Sequence, residues 1–581
     1  MNLREKTENT IFNSGVMLLL FLISTLLFNS AAFLVGLSVK PVFLPLCLLF
    51  SACLYFYLLK KKDTRISING FVLGLAVLVF FVVLSNNIYD MSFDGNWYHK
   101  ASVGSLKYGW NPIYSSLADF AAMPGGVGIG NLAESAIWAD HYCKAPWIVG
   151  ANIYSFTGSI ECAKAVNLIF AYILFSFLYR YLSKKGFSVL SSTILSVITA
   201  LNPISVSQMF TFYNDGLLAS AVFTLIVLLC DLSDRENDED MSLQTVLLFS
   251  AVVFCISIKF TGLVYAAFFC FAFYVLWLVR AYKKGDFKKV LAKASAFYTV
   301  TVLVAVLFVG SSSYVKNTIE HKNPLYPLFG EESVDIMTLN QPAAFSGMSG
   351  IERLFYSIFS ETSNLMGEGE LRLKRPFEVL PEEIKLTATS PDTRIGGMGP
   401  LFGGILCISL PVLVIAAVYL ALKNRRCFFN ALSVFLPSTL LILIIKESWW
   451  ARYSPFLWLV PVAALAFVFC CIRKINLYAK VPVLLFAVFL LFTSVTNVGF
   501  FALYPKMALD RTSDIKDNFT CLSVISRDSN VKIAFATYAF YGIEYNLKDN
   551  GINYTIVAQI EGDGLDIYDG KATAQVDFIL E

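Results

Sequence analysis

The chain has 581 residues, of which 57% are hydrophobic and only 15% charged. Soluble domains carry about a quarter charged residues, so this composition belongs to a protein built for lipid. The formal net charge of +3, with no basic cluster standing apart from the membrane borders, excludes a nucleic-acid partner.

A helix needs roughly 20 apolar residues to cross the hydrocarbon core. Runs of that kind lie near 12–35, 40–59, 69–87, 163–182, 187–209, 216–232, 243–260, 262–280, 291–313, 399–422, 428–446, 453–472 and 481–503. They predict an all-α polytopic membrane protein with about 13 transmembrane helices. No small-residue cleavage site follows the first run, which therefore reads as a retained signal-anchor. Most of the cysteines (Cys47, Cys53, Cys230, Cys255, Cys270, Cys407, Cys470 and Cys471) fall in these runs, where a thiol behaves as a small hydrophobe. The set shows no metal-ligand spacing, and nothing beyond shared location supports a disulfide between Cys143 and Cys162.

Lys and Arg in the short loops set the orientation. Lys60, Lys61, Lys62 and Arg65, then Arg180, Lys184 and Lys185, the stretch 280–289, Lys423, Arg425 and Arg426, and Arg473, Lys474 and Lys480 all fall on one side. That side is assigned to the cytoplasm, with the acidic loop 234–240 on it. The N-terminus is then cytoplasmic and the C-terminus extracytoplasmic, in a plasma (inner) membrane. Residues 1–68 form an N-terminal two-helix segment, 69–503 the transmembrane core, and 504–581 a small extracytoplasmic domain. Two large loops, 88–162 and 314–398, face outward with the tail. Loops of that length in a compact protein are usually functional. The tail carries β-rich runs at 531–537 and 554–558, broken by turn residues, and predicts a small α/β segment.

The densest chemistry lies at residues 90–112 (DMSFDGNWYHKASVGSLKYGWNP), just past the apolar run 71–84. Asp90, Asp94, Trp97, Tyr98 and His99 crowd one membrane border there. Ionisable groups at such a border are costly to desolvate and point to a site, while the plainer reading is an aromatic belt. Asp94, Trp97 and Tyr98 share a face if the segment is helical. Asp215 ends the run NPISVSQMFTFYNDG and reads equally well as a helix cap. Lys259 sits between two apolar runs. Lys316 and His321 lie in YVKNTIEHKNPLYPL, whose prolines also simply turn the chain. Arg452 lies in ESWWARYSP and reads alternatively as a snorkelling cation–π anchor. All are predicted at one membrane face. Carboxylates there accept a hydroxyl proton, cations hold a phosphate, and aromatic rings pack on sugar faces.

In their order along this topology, SFDGNWYH with GWNP, NPISVSQMFTFYNDG, KNPLYP, GGMGPLFG and WWARYSP resemble the GT-C superfamily of polyprenyl-linked glycosyltransferases. That group includes protein O-mannosyltransferases, the lipid A aminoarabinose transferase and oligosaccharyltransferases. The resemblance covers roughly residues 70–475. It implies a polyprenyl-phosphate-linked sugar donor and a glycan, lipid or protein acceptor in contact with membrane lipid. It implies Asp94 as catalytic base, with Asp90 the alternative, and Asp215 as the second acidic position. Two spans precede the acidic loop where many members have one, and Asp94 is followed by Gly95 rather than by a second acid. A divalent cation (Mg2+ or Mn2+) therefore stays open.

The residues and the resemblance together predict inverting transfer of a sugar to a hydroxyl on the outer face. Lys259, Arg452 and Lys316 or His321 would bind the leaving phosphate, with Trp97, Tyr98 and His99 lining the substrate site. The rivals are a transporter or flippase of a lipid-linked glycan, a polysaccharide polymerase or ligase, and a non-catalytic scaffold. A transporter should place its charges at midplane on broken helices.

Overall fold

The computed structural model describes residues 3–123, 133–235, 241–473 and 475–577. Lys474 and most of the acidic loop (236–240) lie outside them. Among the described residues, ten helices are long and apolar enough to cross a membrane: Leu3–Leu34, Thr64–Asn86, Ile160–Lys184, Asp215–Asp234, Phe260–Lys284, Phe287–Ser312, Phe402–Lys423, Arg425–Ile444, Pro455–Ile472 and Lys480–Ile525. The protein is an integral membrane protein. Three of the predicted spans fall instead on shorter apolar helices, Phe43–Leu58, Val189–Ala200 and Ser242–Ile258. The expected run 187–209 is cut because Pro203 cannot continue the preceding helix. Asn202 accepts from the Ser205 backbone N–H at 3.0 Å and starts a new helix, Pro203–Gln208.

The first helix, Leu3–Leu34, is apolar around much of its girth and lies inside the molecule. Its residues from Val16 to Leu22 are fully buried, and it packs against Thr64–Asn86, Ile160–Lys184 and Ser242–Ile258. Buried residues of this helix and of Phe43–Leu58 thus belong to the main core.

The bundle has two chemically different ends. At one end Lys184 meets Asp231 at 3.1 Å and Lys185 meets Asp234 at 2.5 Å. Arg280 and Arg426 donate to Ser233, and Arg473 donates to the Gly186 carbonyl. Four of the basic loops that assigned orientation, those holding Lys184, Arg280, Arg426 and Arg473, are therefore neighbours in space. The other end lies about 30 Å away, the length of a twenty-residue helix such as Asp215–Asp234. It carries both long loops and the tail.

The loops are built, not slack. The first contains the helices Lys100–Lys107, Leu117–Ala122, Ala133–His141 and Ala145–Thr157. The second contains Tyr314–His321, Gly350–Phe359 and Pro381–Thr389. The tail opens with the helix Leu503–Ile525 and ends in a small sheet. Its strands β1 (Asn530–Phe535), β2 (Thr555–Ile556), β3 (Leu565–Asp566) and β4 (Ala572–Asp577) lie in the order β2-β1-β4-β3. β1 runs parallel to β2 and antiparallel to β4.

The tail docks on the 90–112 stretch through a buried polar network. Lys100 Nζ donates to Glu161 Oε1 at 2.7 Å, Asn96 Oδ1 at 2.9 Å and Asn546 Oδ1 at 2.8 Å. Lys164 pairs with the other oxygen of Glu161, and the three charged side chains are fully buried. Breaking one partner of such a group typically costs about 3–5 kcal/mol, because the other charge is left uncompensated. The network locks the first loop, a span and the tail together.

Candidate active site

A cavity of about 760 Å3 opens at the loop-bearing end of the bundle, lined by Asp94, Asp215, Lys259, Asp392, Arg394 and Arg452 among many aromatic rings. Asp215 is the first residue of the helix Asp215–Asp234, and the cap position belongs to Asn214. Its carboxylate is thus used elsewhere: Lys259 Nζ lies 2.6 Å from Asp215 Oδ1. Lys259 is the single extended residue (φ −160°, ψ 152°) between the helices Ser242–Ile258 and Phe260–Lys284. That break sets its side chain at the cavity.

Arg452 sits at the centre. Its Nη1 lies 3.2 Å from Asp392 Oδ2 and 3.9 Å from both Asp94 Oδ2 and Asp215 Oδ2. Its guanidinium stands 3.9 Å over the Trp450 ring. Both sequence readings of Arg452, aromatic anchor and site cation, therefore describe one side chain. Burial opposes its charge, but the surrounding groups, Asp392 foremost, outweigh it and push the pKa up. Trp450 Nε1 donates to Asp392 Oδ1 at 2.8 Å, and Arg394 Nη2 donates to Asn340 Oδ1 at 2.7 Å.

Asp94 reaches the cavity with 23% of its side chain exposed. Burial pushes its pKa up to about 6, with Arg452 pulling against the shift. The expected regular helix is absent here. A wide π-type turn spans Gly95–His99, and Trp97 departs from helical geometry (φ −87°, ψ −115°). The turn still brings Asp94, Trp97, Tyr98 and His99 to the cavity wall. His99 is driven down to about 3, by burial first and then by Lys259, so its ring is neutral. Trp147 Nε1–H donates to His99 Nδ1 at 2.8 Å, which leaves the ring proton on Nε2.

Three donors in the cavity-lining residues, Trp97 Nε1, Arg394 Nε and Arg452 Nε, are buried without a hydrogen-bond partner. An unmet buried donor costs about 1–3 kcal/mol. Three around one cavity describe a site for a ligand rich in oxygen acceptors.

The structure separates the remaining candidates from this cavity. Asp90 is fully buried and occupied: Oδ1 accepts from Ser92 N at 2.7 Å and Oδ2 from Phe212 N at 2.8 Å. It pins the corner before Asp215 to the first loop and does not line the cavity. Lys316 lies beside Asp140, Nζ to Oδ1 3.9 Å, in a second cavity of about 220 Å3. His321 pairs with Glu332 at 3.0 Å. Neither lines the large cavity, because the helix Tyr314–His321 carries them onto the far side of the first loop, against His141 and Asp140.

Sequence reading missed Asp392, Arg394, Trp138, Tyr142 and Tyr538, all on the cavity. Asp392 and Arg394 stand in an unremarkable loop sequence, SPDTR, whose only signal is an acid and a base two residues apart after a proline. Tyr538 comes from the tail and meets Trp97 edge-on at 5.3 Å between ring centroids. The acids do not fit a metal centre: Arg452 stands among Asp94, Asp215 and Asp392. The grouping of metal-type ligands found among the described residues lies elsewhere, at His141, Glu320 and His321.

No protein-family model matches the chain, and no curated protein matches it. Among solved structures, the chain is similar to crystal structures of ArnT from Cupriavidus metallidurans, in the apo state and bound to undecaprenyl phosphate. Identity is 11% in both, over 84% of this chain and 85% or 86% of that chain, with a TM-score of 0.41.

Proposed function

We propose that the protein is a membrane glycosyltransferase of the GT-C type. It transfers a sugar from a polyprenyl-phosphate donor to a hydroxyl of a glycan, lipid or protein acceptor at the outer membrane face. The observation that carries this reading is the pairing of buried, unmet donors with one carboxylate poised near neutrality in a single cavity at a bundle end. A phosphate supplies acceptors for Arg452 Nε, Arg394 Nε and Trp97 Nε1. A carboxylate with pKa near 6 is ionised at pH 7 yet basic enough to take a developing proton.

In the step this geometry supports, the acceptor oxygen forms its bond to the anomeric carbon as the bond from that carbon to the phosphate oxygen breaks. The electron pair leaves on the phosphate, and the hydroxyl proton passes to Asp94. Attack opposite the leaving group inverts the anomeric centre. Lys259 and Arg452 neutralise the leaving phosphate in a water-poor site, where preorganised charge is usually the largest catalytic contribution. Asp215 holds Lys259, and Asp392 with Trp450 holds Arg452. The rings of Trp97, Tyr98, Trp138 and Tyr538 form the sugar-facing wall. The charges stand at helix ends and in a loop at one end of the bundle, which favours this reading over a carrier with a midplane site.

The test is transfer by Asp94→Asn, which keeps size and hydrogen bonding but removes the base. Removing a general base costs about a hundred- to ten-thousand-fold in rate, with expression and donor-lipid binding retained. In the unsubstituted protein, kcat/KM should fall as pH drops through about 6, where Asp94 protonates. An active Asp94→Asn enzyme with the same acid limb would remove Asp94 from this role.

A further inference from the structure

On the far side of the first loop from the large cavity, His141, Glu320 and His321 each offer a ligand atom, all within 4.8 Å of one another. They come from two helices distant in sequence, Ala133–His141 and Tyr314–His321. The imidazole rings stand edge to face with centroids 5.0 Å apart.

The hydrogen bonds around the two rings determine which nitrogens are free. Asn317 Nδ2 donates to the carbonyls of His141 at 3.0 Å and Tyr326 at 2.8 Å. Its amide orientation is thereby fixed, so Asn317 Oδ1 is the atom 2.8 Å from His141 Nδ1. An amide oxygen only accepts, so the His141 proton is on Nδ1 and Nε2 carries a bare lone pair. The second ring repeats the pattern. His321 Nδ1 lies 3.0 Å from Glu332 Oε2, and an ionised carboxylate also only accepts. Its Nε2 is not taken up by that pair, while the ring is held by stacking on Tyr326 at 3.6 Å between centroids and 8° between planes. Each imidazole has one nitrogen engaged by an oxygen acceptor and the other available, the arrangement that orients histidines for a metal ion.

We infer that His141, His321 and Glu320 form a divalent transition-metal site, occupied by Zn2+, that clamps the first outer loop to the second. Two imidazole nitrogens and one carboxylate oxygen suit Zn2+, with water in the fourth position, and disfavour Mg2+ or Ca2+, which prefer all-oxygen sets. Asn317 and Glu332 are the groups that orient the two histidines. The adjoining 220 Å3 cavity, lined by Asp119, Asp140, Lys316 and Glu320, gives solvent access. The cation among its described lining residues, Lys316, leans toward Asp140. Glu320 is exposed and the histidines half-buried, so the ion reaches the site without unfolding the loops. The clamp joins segments that both wall the large cavity, but the inference does not rest on the activity proposed there.

The test is made on the full chain in detergent or nanodiscs, with ZnCl2 as the probe. Elemental analysis after dialysis should find one zinc per chain in the wild type and none in the His141→Ala/His321→Ala double variant. Competition with a chromogenic chelator should show Glu332→Gln, an exposed position, binding about ten- to a hundred-fold more weakly. EDTA should lower the melting temperature of the wild type and leave that of Glu320→Ala unchanged. Co2+ substitution should give tetrahedral d–d bands in the wild type alone. Stoichiometric zinc in the double variant, or a wild type that takes up none from ZnCl2, would overturn the site. Neither result bears on Asp94 or on sugar transfer.

Discussion

Arg452 shows how much one side chain carries here. Its guanidinium faces three carboxylates and stacks on Trp450, and its Nε remains without a partner. A planar fork can face several acceptors and a ring at once, whereas an ammonium is a point charge. Arg452→Lys is therefore expected to keep the charge yet lose transfer, with kcat/KM down about ten- to a hundred-fold, the worth of one or two charge-assisted hydrogen bonds. Expression and melting temperature should hold, because Lys still balances Asp392. Kinetics indistinguishable from wild type would show that the guanidinium only anchors the aromatic pair.

Among the elements, the short helix Lys100–Lys107 matters most for the site, since the turn carrying Asp94 and His99 leads directly into it. Its other side accepts the tail. A side chain at Gly104 would come within 2.1 Å of the Tyr545 ring, and one at Gly542 within 2.2 Å of the Asn96 carbonyl. Gly542 N donates to that same carbonyl at 2.9 Å. Gly542 leaves room for the approach of the Asn96 backbone, and Gly104 for the Tyr545 ring. Gly104→Ala should cost about 1–3 kcal/mol, the usual penalty for overpacking. It should also loosen the tail from the first loop, read as a lower melting temperature and faster protease cleavage after residue 525. Unchanged cleavage would show that Tyr545 repacks without undocking.

At the scale of the whole molecule, the chain has a basic end and a reactive end. The contacts that Lys184, Lys185, Arg280, Arg426 and Arg473 make with Asp231, Asp234, Ser233 and Gly186 gather four of the basic loops. If these loops are cytoplasmic, as positive charge favours, the cavity opens outside. Reporters fused after Lys62, Lys185 or Arg426 should read cytoplasmic, and those after Lys144, Lys385 or Asp577 external. A cytoplasmic reading at Lys144 would put the cavity on the nucleotide-containing side and remove the lipid-phosphate donor proposal.

Hydropathy alone determined that this is a helical membrane protein, because lipid demands long apolar runs whatever the tertiary packing. The same runs located the ends of most helices, and Asp94, Asp215, Lys259 and Arg452 were legible because ionised groups at such ends are costly without a purpose. Only the folded chain decided which of them meet. Asp90 and Asp94 look alike four residues apart, yet one is consumed by the backbone of Ser92 and Phe212 and the other opens to the cavity. Lys316 and His321 stand at the same end of the bundle as Arg452 but not on its cavity, since a helix direction no local pattern specifies turns them toward His141. Asp392, Arg394 and Tyr538 were invisible for the complementary reason. They stand in loop and tail segments whose composition is ordinary, and they reach the site through contacts spanning up to several hundred residues. Local sequence records what a residue costs to bury, whereas its partners depend on how distant segments close around it.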